Sequence, residues 1–342
     1  METKLKVVLA GCGSMSRTWF RVAAEMDSID IVGLVDIRKQ SAVDRAQEFG
    51  LENRIIGADI GEVLKQTSPD IVFDCTVPEA HVHITLEALN HSCHVLGEKP
   101  MADSMENARK MLAAAQDSGK FYAVIQNRRY DSQIRRLRNF LTSDAIGRIT
   151  TVNSDYYMGP HFGGFRDRME HSLLLDMAIH TFDAARFITG EDPVSVYCKE
   201  WNPSGSWYDH GASAIAVFEM TGGVVYTYRG SWCSEGLKTS WNGDWHIVCS
   251  NGSIRWDGED KCSGRAKSKD TDSHSEWEGL GLPAHDPIAG IGGHAGIIHE
   301  FVECVRTGNT PETVCTDNIK SLAMVFGAIE SAELGRPVEI AT

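Results

Sequence analysis

Asp176 and His180 stand four residues apart, and their neighbours Leu173, Leu174, Leu175, Met177 and Ile179 are apolar. On a helix, a four-residue spacing puts both side chains on one face. An imidazole titrates at about 6.5 and so exchanges protons near neutral pH. A carboxylate beside it can orient the ring or hold a neighbouring hydroxyl. On a solvated helix such a pair is an ordinary ion pair. Among these apolar residues the helix reads as buried, and burying charge is costly unless the charge is compensated. The chemistry that suits the pair is proton transfer on a small molecule.

A second group of residues points to the other half of a reaction. Gly11-Cys12-Gly13-Ser14-Met15-Ser16 follows the apolar run 5–10 and opens a helical stretch. Gly11 permits a tight turn. Gly13 lets the backbone, with Ser14 and Met15, approach a pyrophosphate resting on the helix N-terminus. Ser16 takes the place of a third glycine and is small enough for helix–strand packing. Such a turn carries weight when it lies between a strand and a helix at the start of a βαβ series. Asp36, 20 residues after Ser16, ends the next apolar run. A carboxylate there binds ribose hydroxyls and repels a 2′-phosphate, so NAD is the expected cofactor. Arg38 could instead pair with that phosphate, which leaves NADP as the alternative.

These residues need elements to position them. Apolar runs at 5–10, 31–35, 71–73, 94–96 and 121–125 alternate with helical stretches such as 16–26, 41–49, 81–89 and 104–118. Strands that are apolar throughout and linked by helices predict a parallel sheet covered on both faces. The pattern changes near Asn127. A helix at 132–141 leads to an alternating strand at 148–157, then to a glycine-rich loop and a helix at 169–189. Alternating segments follow at 194–201, 212–220, 224–232, 245–250 and 253–256, predicting an open, mostly antiparallel sheet with one wet face. The stretch 257–293 reads as a long loop, and helices at 294–307 and 316–334 close the chain. The expected architecture is an α/β Rossmann domain over 1–126 followed by an α+β substrate-binding and oligomerisation domain over 127–342.

Four further motifs make the reading specific. They are Thr76-Val77-Pro78-Glu79-Ala80-His81, Gly97-Glu98-Lys99-Pro100, Asn127-Arg128-Arg129-Tyr130 and Asp176-Met177-Ala178-Ile179-His180. In this order, with the glycine turn, they resemble the glucose–fructose oxidoreductase / inositol dehydrogenase / rhizopine-catabolism (Gfo/Idh/MocA) family over nearly the whole chain. The resemblance implies that Thr76, Pro78 and His81 lie along the cofactor. It implies that Glu98 faces the nicotinamide-side ribose, that Asn127 lies near the nicotinamide, and that Lys99, Asp176 and His180 form the catalytic group. Val77 stands where the family often has proline, and Ala178 where it often has glycine. Leu173-Leu174-Leu175 replaces an approach that is frequently glycine-rich, so the substrate is not inherited from any one member.

Oxidising a secondary alcohol requires removal of the hydroxyl proton while hydride leaves the carbon. His180 suits the proton, Asp176 the orientation, and Lys99 the developing alkoxide charge. The roles of Lys99 and His180 are interchangeable at this level. Arg166, in the glycine-rich loop with His161 and His171 on its flanks, is placed to touch substrate. His294, near the start of its helix, is a further candidate to reach the site, whereas His91 and His94 near a helix end read as structural. No histidine has metal-ligand spacing backed by other ligands, so no metal is expected.

Composition narrows the field. The chain has 342 residues, 42% hydrophobic and 23% charged, with a formal net charge of −14. That acidity opposes nucleic acid and membrane surfaces as partners. The nine cysteines form no Cys-x-x-Cys pair, and the start of the chain carries no export signal, so the cytoplasm is the expected compartment. Seven of the eight tryptophans fall between Trp201 and Trp277; aromatic faces there suit sugar C–H surfaces, but packing and a subunit interface account better for most of them. A sheet with an uncovered face suggests a homodimer or homotetramer. Two other functions remain possible: a hydrolase or lyase using NAD for transient oxidation, and a non-catalytic cofactor-binding sensor. The retained Lys99, Asp176 and His180 argue against the sensor.

Overall fold

The computed structural model describes residues 3–143, 145–267, 274–278 and 291–342. The chain forms two compact units, one of residues 1–127 and 291–319, the other of 128–290 and 320–342.

In the first unit the strands are β1 (Leu5–Ala10), β2 (Ile29–Val35), β3 (Ile55–Gly57), β4 (Ile71–Asp74), β5 (His94–Gly97) and β6 (Tyr122–Val124). They form one sheet in the order β3-β2-β1-β4-β5-β6, and every pairing is parallel. The helices between them are α1 (Ser16–Ala24), α2 (Lys39–Phe49), α3 (Ile60–Thr67), α4 (Pro78–Asn90) and α5 (Met105–Ser118). The strand order reverses between β1 and β4, and in such sheets ligands bind beyond the carboxyl ends of the strands at that point. Val7 to Ala10 of β1 and Ile71 to Asp74 of β4 are fully buried, as strands packed on both faces must be. Local chemistry sets the helix starts. Asp59 and Ser104 cap α3 and α5 by accepting the Glu62 and Asn107 N–H groups, and Pro78 opens α4. The pattern does not show β3, since three residues of strand leave almost no periodicity to read.

The second unit begins with α6 (Ser132–Thr142), capped by Asp131. It contains β7 (Ile149–Tyr157), α7 (Ile179–Thr189), β8 (Pro193–Trp201), β9 (Ser213–Met220), β10 (Val225–Ser231), β11 (Asp244–Cys249) and β12 (Gly252–Trp256). Then come β13 (Cys262–Lys267), β14 (His274–Glu278) and, at the end of the chain, β15 (Val338–Glu339). The sheet order is β14-β13-β12-β11-β7-β10-β9-β8-β15, antiparallel except for the parallel pair β7/β10. Alternation decides the faces. In β9, Ala214, Ala216, Phe218 and Met220 are buried while Ile215, Val217 and Glu219 are exposed. Phe182 of α7 packs edge-on against Phe218 and Tyr228 with centroids 4.9 and 5.1 Å apart, sealing the buried face. Trp245 and Trp256 are buried packing residues. A groove of about 1220 Å³ runs over the other face, lined in part by Asp155, Arg229, His246 and Arg255.

Three expectations change. The stretch 257–293 is not all loop, because β13 and β14 extend the sheet there. Ser263, Gly264, Arg265 and Lys267 of β13 form no apolar stripe, and pairing defines the strands instead, β13 on β12 and β14 on β13. Residues 268–273 and 279–290 of that stretch lie outside the described residues. The expected second domain also loses 291–319: α8 (Gly293–Thr307) packs on α1 and β5 of the first unit, and α9 (Cys315–Leu334) begins there. Finally, the expected regular helix over 169–189 is a π-helix over Leu173–Ala178 that continues as α7.

Candidate cofactor and catalytic residues

The first unit holds the glycine turn between β1 and α1. Gly11 has φ +86°, and a Cβ there would lie 2.6 Å from the Cys75 carbonyl, so only glycine fits. At Gly13 a Cβ would meet nothing within 4 Å, which leaves open space above the backbone. Ser16 is fully buried and its hydroxyl donates to the Gly13 carbonyl at 2.7 Å. No side chain caps α1 at Met15, and its first turn carries no acidic residue, so the N-terminal N–H groups suit an anion. Arg45, from α2, was not singled out in the sequence. Its Nη2 donates to the Cys12 and Gly13 carbonyls at 3.2 and 2.8 Å, and its Nη1 pairs with Glu48. An arginine 32 residues downstream of Gly13 leaves no local signal.

Asp36 is buried at the end of β2. One carboxylate oxygen accepts the Cys12 N–H at 2.9 Å and the other the Arg38 N–H at 2.8 Å. Two backbone donors thus fix the carboxylate beside the turn, while the Arg38 side chain is exposed. The turn, the open space at Gly13 and the fixed Asp36 fit a dinucleotide.

Behind β4 lies a triad that sequence reasoning saw only in part. Asp74 is fully buried. It accepts from the Thr76 hydroxyl at 2.5 Å and faces His81 Nδ1 at 2.8 Å. Burial alone would lower the His81 pKa, but Asp74 outweighs it and the net shift is upward. Asp74 went unnoticed because it reads as the end of an apolar strand. Glu98 follows β5 and accepts the Trp19 indole N–H at 2.8 Å. His294 Nε2 lies 3.9 Å from the same oxygen, and Asn127 Nδ2 donates to His294 Nδ1 at 3.3 Å. Burial holds His294 below its ordinary range, with Glu98 opposing and Lys99 adding to the effect. Glu98, Asn127 and His294 are thereby one cluster. His81 Nε2 and Asn127 Oδ1 are buried without a protein partner, so each retains capacity for a ligand. Lys99 is half-buried beside Glu98 and its backbone N–H donates to Glu98 Oε2 at 3.3 Å. Pro78 begins α4, next to Thr76 and the exposed Val77.

In the second unit Asp176 sits in the π-helix and His180 in the first turn of α7. His180 is buried, and Asp176 Oδ2 accepts from Arg166 Nε at 2.9 Å. A π-helix widens the turn and is frequent at functional sites. A buried network anchors α7 one turn further on. Arg129 makes a two-pronged pair with Asp183, Nε to Oδ2 at 2.8 Å and Nη2 to Oδ1 at 2.7 Å. Ser321 donates to Asp183 at 2.7 Å, and Arg186 donates to Ser321 at 2.8 Å. Of the flanking histidines, His171 binds Glu200 at 2.5 Å and is raised in pKa by that hydrogen bond. His161 stacks on Trp207 at 3.7 Å and faces Glu235 at 3.1 Å.

A parallel sheet with the strand order above, a glycine turn under an uncapped helix and a fixed acid at the end of β2 define a dinucleotide-binding Rossmann domain. Residues 5–126 match the family model described as an oxidoreductase family with an NAD-binding Rossmann fold, and residues 134–255 match the GFO/IDH/MocA C-terminal domain. The chain belongs to the GFO/IDH/MocA family of NAD(P)-dependent oxidoreductases. It is 22% identical to the 1,5-anhydro-D-fructose reductase of Ensifer adhaerens over 98% of both chains. It is 30% identical to the D-glucoside 3-dehydrogenase of Escherichia coli over 55% of both. The fold is shared with myo-inositol 2-dehydrogenase from Lactobacillus plantarum, with a TM-score of 0.80 at 19% identity, covering 99% of this chain and 100% of that one.

Proposed function

We propose that the protein is an NAD-dependent dehydrogenase that oxidises a secondary hydroxyl of a sugar, inositol or glycoside. The observation that carries the reading is Asp176 held by Arg166 in a π-helix, four residues before a buried His180. Bound NAD supplies the hydride acceptor. Gly11, Gly13, Ser14 and Met15 hold the pyrophosphate on α1, and Asp36 holds the ribose hydroxyls. His81, Glu98 and Asn127 line the rest of the cofactor path. His180 takes the hydroxyl proton as the C–H bond opens. Asp176 positions a neighbouring hydroxyl or the ring, and Lys99 stabilises the developing alkoxide. The relatives named above act on sugars, as their names say, and support this substrate class. We further propose a homodimer or homotetramer joined through the open face of the nine-stranded sheet.

The test is NADH formation over a panel of sugars, inositols and glycosides, followed by kinetics of variants on the best substrate. Lys99→Ala and His180→Ala should each lower turnover by at least about a hundredfold, the lower range for a positioned acid or base. Their effects should fall short of additive if both serve one proton path. Turnover of a substrate without net NADH would instead identify transient oxidation in a hydrolase or lyase. NAD binding with no turnover across the panel would count against a dehydrogenase. Near-normal turnover in His180→Ala would remove that residue from the proton path.

A further inference from the structure

Three connections meet at one end of the nine-stranded sheet. Ser231, the end of β10, pairs with Tyr157, the end of β7, and with Ser213, the start of β9. Ser213 in turn pairs with Trp201, the end of β8. The segments after β7, between β8 and β9, and after β10 therefore leave the sheet on the same side. They are tied together: Asp209 N–H donates to the Asp167 carbonyl at 2.7 Å, and Ser234 N–H to the Met158 carbonyl at 2.9 Å.

Two observations in this cluster go beyond what folding requires. The first is a row of aromatic rings leading away from Asp176. The Arg166 guanidinium that holds Asp176 also lies over Phe162 and Phe165, at 5.4 and 4.8 Å from the ring centres. Phe162 meets Trp232 at 6.0 Å, and Trp232 meets Trp241 edge-on at 5.8 Å. Trp232 is buried, yet Phe162 and Trp241 are 57% and 47% exposed. The second is unspent hydrogen-bonding capacity. Asp167 Oδ1 and Trp232 Nε1 are buried without a partner, and Tyr208 Oη, beside the Trp207 indole N–H, keeps its own O–H to donate. Tyr208 is only 3% exposed. Burial raises its phenol pKa, the Trp207 indole N–H opposes the rise, and the nearby Asp167 and Asp176 carboxylates add to it.

Aromatic faces suit the C–H faces of sugar rings and aryl groups, and buried donors and acceptors without partners suit hydroxyls. We propose that this loop cluster is a second-ring subsite and that the substrate is a glycoside. The ring to be oxidised sits at Asp176, and the group attached to it lies against Phe162 and Trp241. Asp167 accepts a hydrogen bond from a substrate hydroxyl, and Tyr208 donates one. The inference deepens the dehydrogenase reading and rests on it for the placement of the first ring.

The experiment is calorimetric titration of the full chain, saturated with NAD. The probes are glucose, galactose, mannose and xylose, each beside its methyl and phenyl glycosides. At least one phenyl glycoside should bind about tenfold tighter than its parent sugar, the scale of one aromatic contact. Phe162→Ala and Trp241→Ala should erase that ratio. Tyr208→Phe, which keeps the ring, should weaken the same glycoside by a few-fold. If no glycoside outbinds its parent sugar, or if the ratio survives in both alanine variants, the subsite is disproved. NADH formation from the parent sugars would then still uphold the dehydrogenase reading. A fall in native mass in Phe162→Ala with the ratio unchanged would overturn the subsite and assign the patch to contact between copies of the chain.

Discussion

The proposed preference for NAD rests on one side chain, Asp36. Its carboxylate is fixed by the Cys12 and Arg38 N–H groups, so it cannot swing aside for a 2′-phosphate without breaking both bonds. Moving the phosphate's charge against a held carboxylate is unfavourable. Asp36→Ala removes that repulsion and leaves Arg38 as a phosphate partner. The preference for NAD, measured as the ratio of dissociation constants for NAD and NADP, should narrow or reverse. Tighter binding of NADP by the unsubstituted protein would show that Arg38 dominates. Asp36 can be picked out from the sequence because it closes an apolar run at a set distance from a glycine turn. Arg45 cannot, since the carbonyls it holds follow a different strand, and Asp74 cannot, because it reads as the last residue of an apolar strand.

At the scale of the element, the π-helix and α7 depend on a buried ion pair. The Arg129 and Asp183 side chains are 5% and 1% exposed. Removing one member of such a pair leaves a buried charge uncompensated and typically costs about 3–5 kcal/mol. Asp183→Ala and Arg129→Ala should each lower stability on that scale in denaturant titrations. Arg129→Met combined with Asp183→Leu should cost less than the sum, because no charge is then stranded. Equal additivity would mean that the pair contributes only packing. Loss of the anchor should also lower turnover, since His180 lies three residues before Asp183 on α7. The helix itself was legible from its apolar run, but its π geometry was not. A wider turn depends on how the segment packs against the strands beneath it, and residue types alone do not specify that.

At the scale of the whole molecule, the open sheet face calls for a cover. Tyr197, Trp201, Ile215, Val217 and Val225 are each 38–44% exposed on it. Contiguous apolar surface of this kind marks an interaction site. The chain should have a native mass of two or four times 37.7 kDa by light scattering at micromolar concentration. Ile215→Glu with Val217→Glu should shift it towards one copy, because two carboxylates would be buried unpaired. A single-copy mass for the unsubstituted protein would sink the proposal.

The sequence by itself determined the two kinds of sheet, the glycine turn, and the positions of most strands and helices to within a residue or two. Those features are written in periodicity and in residues with restricted backbone preferences, both of which act locally. It also determined the family, through motifs kept in order along the chain. Only the tertiary structure decided that 291–319 belongs with the first unit, since a helix's pattern states that it has an apolar face and not which sheet covers it. It alone joined Glu98, Asn127 and His294 into one cluster, and revealed β13 and β14. β13 exists because the edge of β12 offers unpaired N–H and C=O groups, and β14 because β13 then offers its own edge; hydrogen bonding to an edge leaves little trace in a row such as Ser, Gly, Arg and Lys.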